Sequence, residues 1–219
     1  EAFLSALDIT GSPHQQRVIT IATTPAMGAL LMPGLASALK PTFPQILLHN
    51  IAIVDAARQL DQRQVDLLID THLHSGQAIS HHVLYQDRVQ MYCRAGHPAL
   101  DGPQDETTLA EYEFALLLPE GQRYPTLHRR LQEEMGERRC GFSTFNLMTQ
   151  AAMIAGSDML GLTTERLFAM VSRLWPLQTL DFPSLGGEQI DVALHFNKLS
   201  GKEPLLKEII ETVIRSFKA

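Results

Sequence analysis

Hydroxyl and amide side chains gather at two places where an apolar run gives way to a helical pattern, and such places suit binding better than covalent chemistry. Thr23 and Thr24 close the run Val18-Ile19-Thr20-Ile21-Ala22 and stand before Pro25; Ser143, Thr144 and Asn146 follow Gly141-Phe142 and precede the helical pattern of residues 147–155. A strand-to-helix turn concentrates unpaired backbone N–H groups and the positive end of a helix dipole at one point. With hydroxyls beside them, two such turns would hold a small polar molecule, an anion most readily. Each hydroxyl is equally suited to capping its own helix, so both readings stand for each residue. His72 marks a third place. It follows the apolar run 65–69 by way of Asp70 and Thr71, at a strand's carboxyl end, the edge where open α/β sheets bind ligands.

Groups that would point to catalysis or metal lack the necessary context. There is no GxSxG, GxGxxG, P-loop lysine or HExxH pattern, so nothing nominates a nucleophile, a dinucleotide or a zinc site. His72, His74, His81 and His82 do not follow a ligand spacing known for zinc. Cys93 and Cys140 have neither a CxxC partner nor a neighbouring histidine and read as reduced, partly buried thiols. The expectation is a chain that is not an enzyme, with no catalytic residue, no metal and no cofactor.

The elements that would position these residues alternate between strand and helix. Residues 18–22, 46–54 and 65–69 are apolar and rich in β-branched side chains; the first and second flank a helix at 26–39, and the second and third a short helix at 56–60 capped by Asp55. Pro33 should shorten or kink the first helix. Further on, residues 79–84 and 88–94 read as two short strands separated by Tyr85, Gln86 and Asp87. Thr107 or Thr108 caps a short helix, 114–118 is a buried strand, and 124–135 a polar-faced helix. Strands follow at 160–163, 178–182 and 190–196, with a helix at 165–174 and a turn at 184–188. Leu205, Leu206, Ile209, Ile210, Val213, Ile214 and Phe217 keep the spacing of an amphipathic helix started by Pro204.

Composition sets the outer bounds. A chain of 219 residues that is 45% hydrophobic and 19% charged has room for one large domain or two small lobes. Its net charge of −6 lacks the basic excess that phosphate contacts need, so this stretch is not expected to bind DNA by itself. No apolar run reaches the roughly 18 residues that would suggest a membrane span, and nothing in residues 1–16 reads as an export signal.

Taken in order, Leu30-Leu31-Met32-Pro33, Phe43-Pro44, residues 55–60, Val65-Asp66-Leu67-Leu68-Ile69, residues 84–88 and His97-Pro98-Ala99-Leu100 resemble the effector-binding domain of LysR-type transcriptional regulators. The resemblance runs from about residue 17 to 217. Two departures are Gln64, where a glycine is usual, and Gly156-Ser157-Asp158-Met159-Leu160-Gly161, which replaces a tighter glycine turn. The resemblance implies an α/β fold of two Rossmann-like lobes with a hinge and an interlobe cleft, of the periplasmic-binding-protein type II-like kind. Residues 1–12 would end a linker helix, residues 13–85 and 188–219 would form lobe I, and residues 86–187 lobe II. It further implies a small-molecule effector held by Thr23, Thr24, Ser143, Thr144 and Asn146, to which the sheet edge adds His72. It also implies a cytoplasmic homodimer or tetramer, and DNA contact through an N-terminal winged helix-turn-helix domain preceding residue 1. The alternative is a solute-binding protein of a transport system, built on the same plan.

Overall fold

Ile19, Ile21 and Ala22 have no solvent exposure, which makes β1 (Arg17–Thr23) an inner strand covered on both faces. In the computed structural model, which describes residues 17–118, 139–182 and 188–218, β1 lies between β2 (Ile46–Ala52) and β3 (Leu67–Asp70), parallel to both. Parallel neighbours require crossover helices. Helix α1 (Pro25–Leu39) supplies the first and packs with Ile19 and Ile21; α2 (Ala56–Asp61) supplies the second and packs with Ala22 and Leu68 on the opposite face. Asp55 caps α2 as expected, accepting the Arg58 N–H at 3.0 Å. Pro33 does not interrupt α1, which continues through it with the proline on the exposed side.

The largest departure from expectation is a single strand, β4 (Ile79–Arg94), where the sequence predicts two short strands with a break. Tyr85, Gln86 and Asp87 stay in the ladder because β9 (Gln189–Asn197) pairs with β4 from Ile79 to Arg88, absorbing one bulge between Val83 and Tyr85. From Val89 onward β4 changes partners, pairing antiparallel with β7 (Gly161–Thr164) on one side and β8 (Leu177–Leu180) on the other. Strand β9 also pairs antiparallel with β3, giving the order β2-β1-β3-β9-β4-β7 with β8 branching from β4.

Beyond the crossing, β5 (Phe114–Leu117) and β6 (Cys140–Thr144) form a parallel pair. Asp105, in place of the expected Thr107 or Thr108, caps the short helix α3 (Glu106–Leu109), since its carboxylate accepts the Thr108 N–H at 2.9 Å. Helix α4 (Leu147–Ala155) is tied to β4 and β5 by a buried chain: Tyr92 Oη donates to Gln150 Oε1 at 3.0 Å, and Gln150 Nε2 donates to the Ala115 carbonyl at 2.7 Å. Burial pushes the Tyr92 hydroxyl well above its ordinary pKa, so it stays a donor. The expected strand at 178–182 begins one residue earlier, and helix α5 (Glu165–Val171) stops short of residue 174. The amphipathic helix forms as α6 (Pro204–Ser216), burying Leu206, Ile209, Ile210 and Val213 beside α1. The expected helix at 124–135 and most of the turn at 184–188 lie outside the described residues.

Helix α1 joins the two halves of the core. Its buried residues Leu31, Leu35 and Leu39 share one apolar cluster with Leu147, Ile154, Leu167 and Val171, which come from α4 and α5. Gly161 is needed where that packing is tightest, because an added Cβ would sit 2.9 Å from the Tyr92 ring and closer still to Ile154. Gly161→Ala should therefore destabilise the domain by about 1–3 kcal/mol, read as a lower urea midpoint at unchanged m-value.

Candidate functional site

Thr23 ends β1 with its side chain on the same face as Ile19 and Ile21, beneath α1, and it is buried. Its Oγ1 accepts from Asn50 Nδ2 at 2.9 Å, and the same amide donates to the Ile21 carbonyl at 2.9 Å. Gly28 lies over this pair: a Cβ there would approach Thr23 Oγ1 to 2.8 Å and Asn50 Oδ1 to 2.6 Å. Thr23 thus fixes how closely α1 approaches the sheet. Thr24 is the N-cap of α1, with its Oγ1 3.4 Å from the Met27 N–H. That bond is long, and the hydroxyl is half-buried.

The second turn divides in the same way. Asn146 caps α4, its Oδ1 accepting the Met148 N–H at 2.8 Å and the Thr149 N–H at 3.4 Å. Thr144 Oγ1 accepts the Asn146 N–H at 3.2 Å. Ser143 is exposed, as is Phe145 beside it. Two of the three residues therefore hold the turn in shape, and Ser143 presents its hydroxyl to solvent.

His72 is exposed in the segment after β3, its ring edge-on to His74 with centroids 4.8 Å apart. This contact opens onto a cluster that spacing alone did not reveal. His74 Nε2 lies 2.8 Å from Asp70 Oδ2, its ring is 5.1 Å from His195, and His195 is 5.8 Å from His81. The backbone N–H of His74 donates to His195 Nε2 at 3.1 Å. Burial lowers the pKa of His195 to about 4; His74 and His81 add to the shift, while the Leu68 main chain and Asp70 oppose it. The His-x-His at 72–74 and His81 were visible as a motif, but His195 joins them only through the β3-β9-β4 register.

A second polar locality lies where β4 changes partners. Gln90 stands opposite Thr163, and Val89 opposite Thr164. Gln90 Oε1, Thr163 Oγ1, Thr164 Oγ1 and Tyr85 Oη are buried without a hydrogen-bond partner. Asp87, also buried, accepts the Arg166 N–H at 3.4 Å, and the Arg166 guanidinium covers the Tyr85 ring at 4.0 Å. Burial and the Asp87 carboxylate push the Tyr85 hydroxyl up to about 12. Unpartnered buried polar atoms are costly, and strand alternation puts Gln90 and Thr163 on one face of the sheet and Thr164 on the other.

A cavity of about 380 Å³ lies at the other end of β1, lined by Arg17, Val18, Arg63, Asp66, Leu199, Ser200 and Glu203. Arg17 bridges Asp66 and Glu203 there at 3.6 and 3.5 Å. Burial raises the Asp66 carboxyl, while the Thr20 N–H and Arg17 hold it back. Positive and negative groups balance in this cleft, and it is separated from Thr24 by the length of the strand. Among the described residues no group of three or more His, Cys, Asp or Glu side chains could hold a metal ion, and no helix is long and apolar enough to cross a membrane.

Curled mixed sheets with helices on both faces, joined by shared strands, define a domain of the periplasmic-binding-protein type II-like class. The chain belongs to the LysR substrate binding domain family, whose pattern matches residues 12–218, and it is the substrate-binding domain of a transcriptional regulator. It is 44% identical over 217 residues to YbeF of Escherichia coli (strain K12), described as an uncharacterized HTH-type transcriptional regulator, covering 99% of this chain and 68% of that one. Among solved structures it is similar to a probable transcriptional regulator, PA0477, from Pseudomonas aeruginosa, with TM-score 0.79 and 16% identity over 97% of this chain and 72% of the other. It is similar also to the regulatory domain of CrgA, a LysR-type regulator from Neisseria meningitidis, with TM-score 0.70 and 13% identity over 93% of this chain and 100% of that one. These findings bear out the resemblance and the fold class, and they do not favour the transport-protein alternative. Regulators of this family bind small-molecule effectors and reach DNA through an N-terminal helix-turn-helix domain; they are not enzymes.

Asn146→Ala removes the acceptor for two amides at the start of α4 and should cost about 1 kcal/mol. Thermal melting checks this, with Ser143→Ala as the near-neutral neighbour.

Proposed function

We propose that this domain senses a small polar effector at the carboxyl edge of β1 and β3 and the facing turn after β6, and passes its presence to an attached DNA-binding domain. The observation that carries the reading is the pair of strand-to-helix turns, each ending in hydroxyls: Thr24 at α1 and Ser143 at α4. Thr23, Thr144 and Asn146 shape those turns, and His72 completes the edge. The partner switch of β4 at Arg88 and Val89 supports a boundary between lobe I, residues 13–85 with 188–219, and lobe II, residues 86–187. Residues 1–12 are assigned to the end of the linker. An anion is favoured by the amide donors of both turns.

Homo-oligomerisation, as a dimer or tetramer, fits the outer surface of lobe I. Strand β2 is an edge strand, and α1 beside it carries no charged residue and exposes Pro25, Ala29, Pro33, Gly34 and Ser37. A long uncharged helix face next to an open sheet edge suits self-association. A regulator working on DNA through its N-terminal domain would act in the cytoplasm, which is the location proposed. Effector binding would favour one relative setting of the lobes, and only by the difference in its affinity for the two settings.

Thermal-shift titration with a panel of small carboxylates and phosphates tests the site. A ligand found with the parent protein should bind at least roughly tenfold more weakly to Thr24→Val and Ser143→Ala, with Ser143→Ala melting normally in its absence and Thr24→Val, which loses the N-cap of α1, melting lower but folded by circular dichroism. Unchanged affinity in both removes these turns from the site.

A further inference from the structure

The histidine cluster has a geometry that responds to a proton. A backbone amide can only donate, so the 3.1 Å contact from the His74 N–H to His195 Nε2 requires that nitrogen to be unprotonated. The neutral ring then carries its proton on Nδ1, which is buried beside the Leu68 main chain. A proton added to His195 must go onto Nε2, where it would meet the His74 N–H head-on. The bond fastening this segment to β9 exists only while His195 is neutral.

The surrounding charges reinforce that choice. Strand β3 offers one carboxylate, Asp70, and both its oxygens are engaged, Oδ1 by the Thr71 N–H at 2.7 Å and Oδ2 by His74 Nε2 at 2.8 Å. The segment itself brings His72 and His74, and β4 brings His81, while His82 turns to the other face of the strand. Helix α2 turns Leu60 and Ala56 inward and leaves Arg58 and Asp61 exposed. Along β9, Asn197 is neutral and occupied with the Leu60 carbonyl. One carboxylate thus serves four imidazoles with both its oxygens already engaged, which leaves none free to pair with a proton on His195. Residues 76–78 are held independently, by the Ile79 N–H on the Gly76 carbonyl and the Lys198 N–H on the Ala78 carbonyl.

We propose that residues 71–75 form a proton-responsive latch, fastened to β9 while His195 is neutral and freed when His195 gains a proton. The sign follows from linkage. His195 is held at about 4 when the latch is closed and returns toward about 6.5 when it opens, so the open form binds more protons between those values. Closure is strongest above about pH 6.5 and weakens as pH falls toward 4. Any consequence for effector binding rests on the function proposed above, because His72 lies on this segment; the latch itself does not.

Hydrogen exchange of the full-length regulator, followed by mass spectrometry without ligand, tests the latch. After correction for intrinsic exchange, protection across residues 71–75 should fall roughly tenfold between pH 7 and pH 5, while peptides from α6 hold steady. His195→Gln keeps an acceptor near the Nε2 position but cannot titrate there, so its protection should not change with pH. Unchanged protection in the parent protein, or the same fall in His195→Gln, overturns the proposal. Should that variant fail to fold by circular dichroism, ¹⁵N-histidine spectra of the parent protein decide. The His195 signal must pass from the Nδ1–H tautomer to imidazolium in step with the loss of protection; a ring still neutral at pH 5 while protection falls rejects the latch.

Discussion

The backbone hydrogen bonding of β4 constrains the rest of the molecule. A strand of sixteen residues passing through the protein must find partners for its buried N–H and C=O groups along its length. It does so by using β9 for its first part and β7 with β8 for its second. The two halves are therefore joined along one strand, whose ladder shifts register once between Val83 and Tyr85, and their relative setting depends on the twist of that strand and on the fit of α1 against α4 and α5. A ligand that changes that setting must act against this packing. Such a joint favours a few discrete arrangements over continuous bending.

How much of this was legible follows the range of the interactions. Strands and helices near the start of the chain were readable because burial of β1 and β3 demands continuous apolar runs, and Asp55, Thr24 and Asn146 cap helices by contacts within three residues. The unity of β4 was not legible, since Tyr85-Gln86-Asp87 has turn-like polarity and is kept extended only by pairing with residues about a hundred positions later. The capping of α3 failed for a smaller reason: Asp105 and Thr107 are both good caps, and local sequence does not rank them.

The candidate site was legible in its location more than in its contacts. Both turns lie at the carboxyl ends of strands, as the alternation of elements required. Thr23, however, is drawn under α1 because strand alternation puts it on the same face as Ile21, and Gly28 leaves room for its bond to Asn50. Ser143 carries the exposed hydroxyl instead, and Thr24 a half-buried one that caps α1. The polar atoms at the β4 crossing were invisible for the same reason as the crossing itself, since Gln90 meets Thr163 only through strand register.

The histidines show how one register creates a property that no residue holds alone. His195 sits opposite both Leu68 and His81, so β9 brings an imidazole between a carboxylate-bearing strand and a strand of exposed histidines. If an effector held at the carboxyl edge of β3 touches the 71–75 segment, its binding and the proton on His195 act on the same element. Linkage then makes the effect mutual: an effector that prefers the fastened segment lowers proton affinity at His195 by the same factor by which the proton weakens the effector. An effector indifferent to the segment would leave the two equilibria separate, however tightly it bound. The shape of the site and its response to acid are thus one question about the five residues following β3.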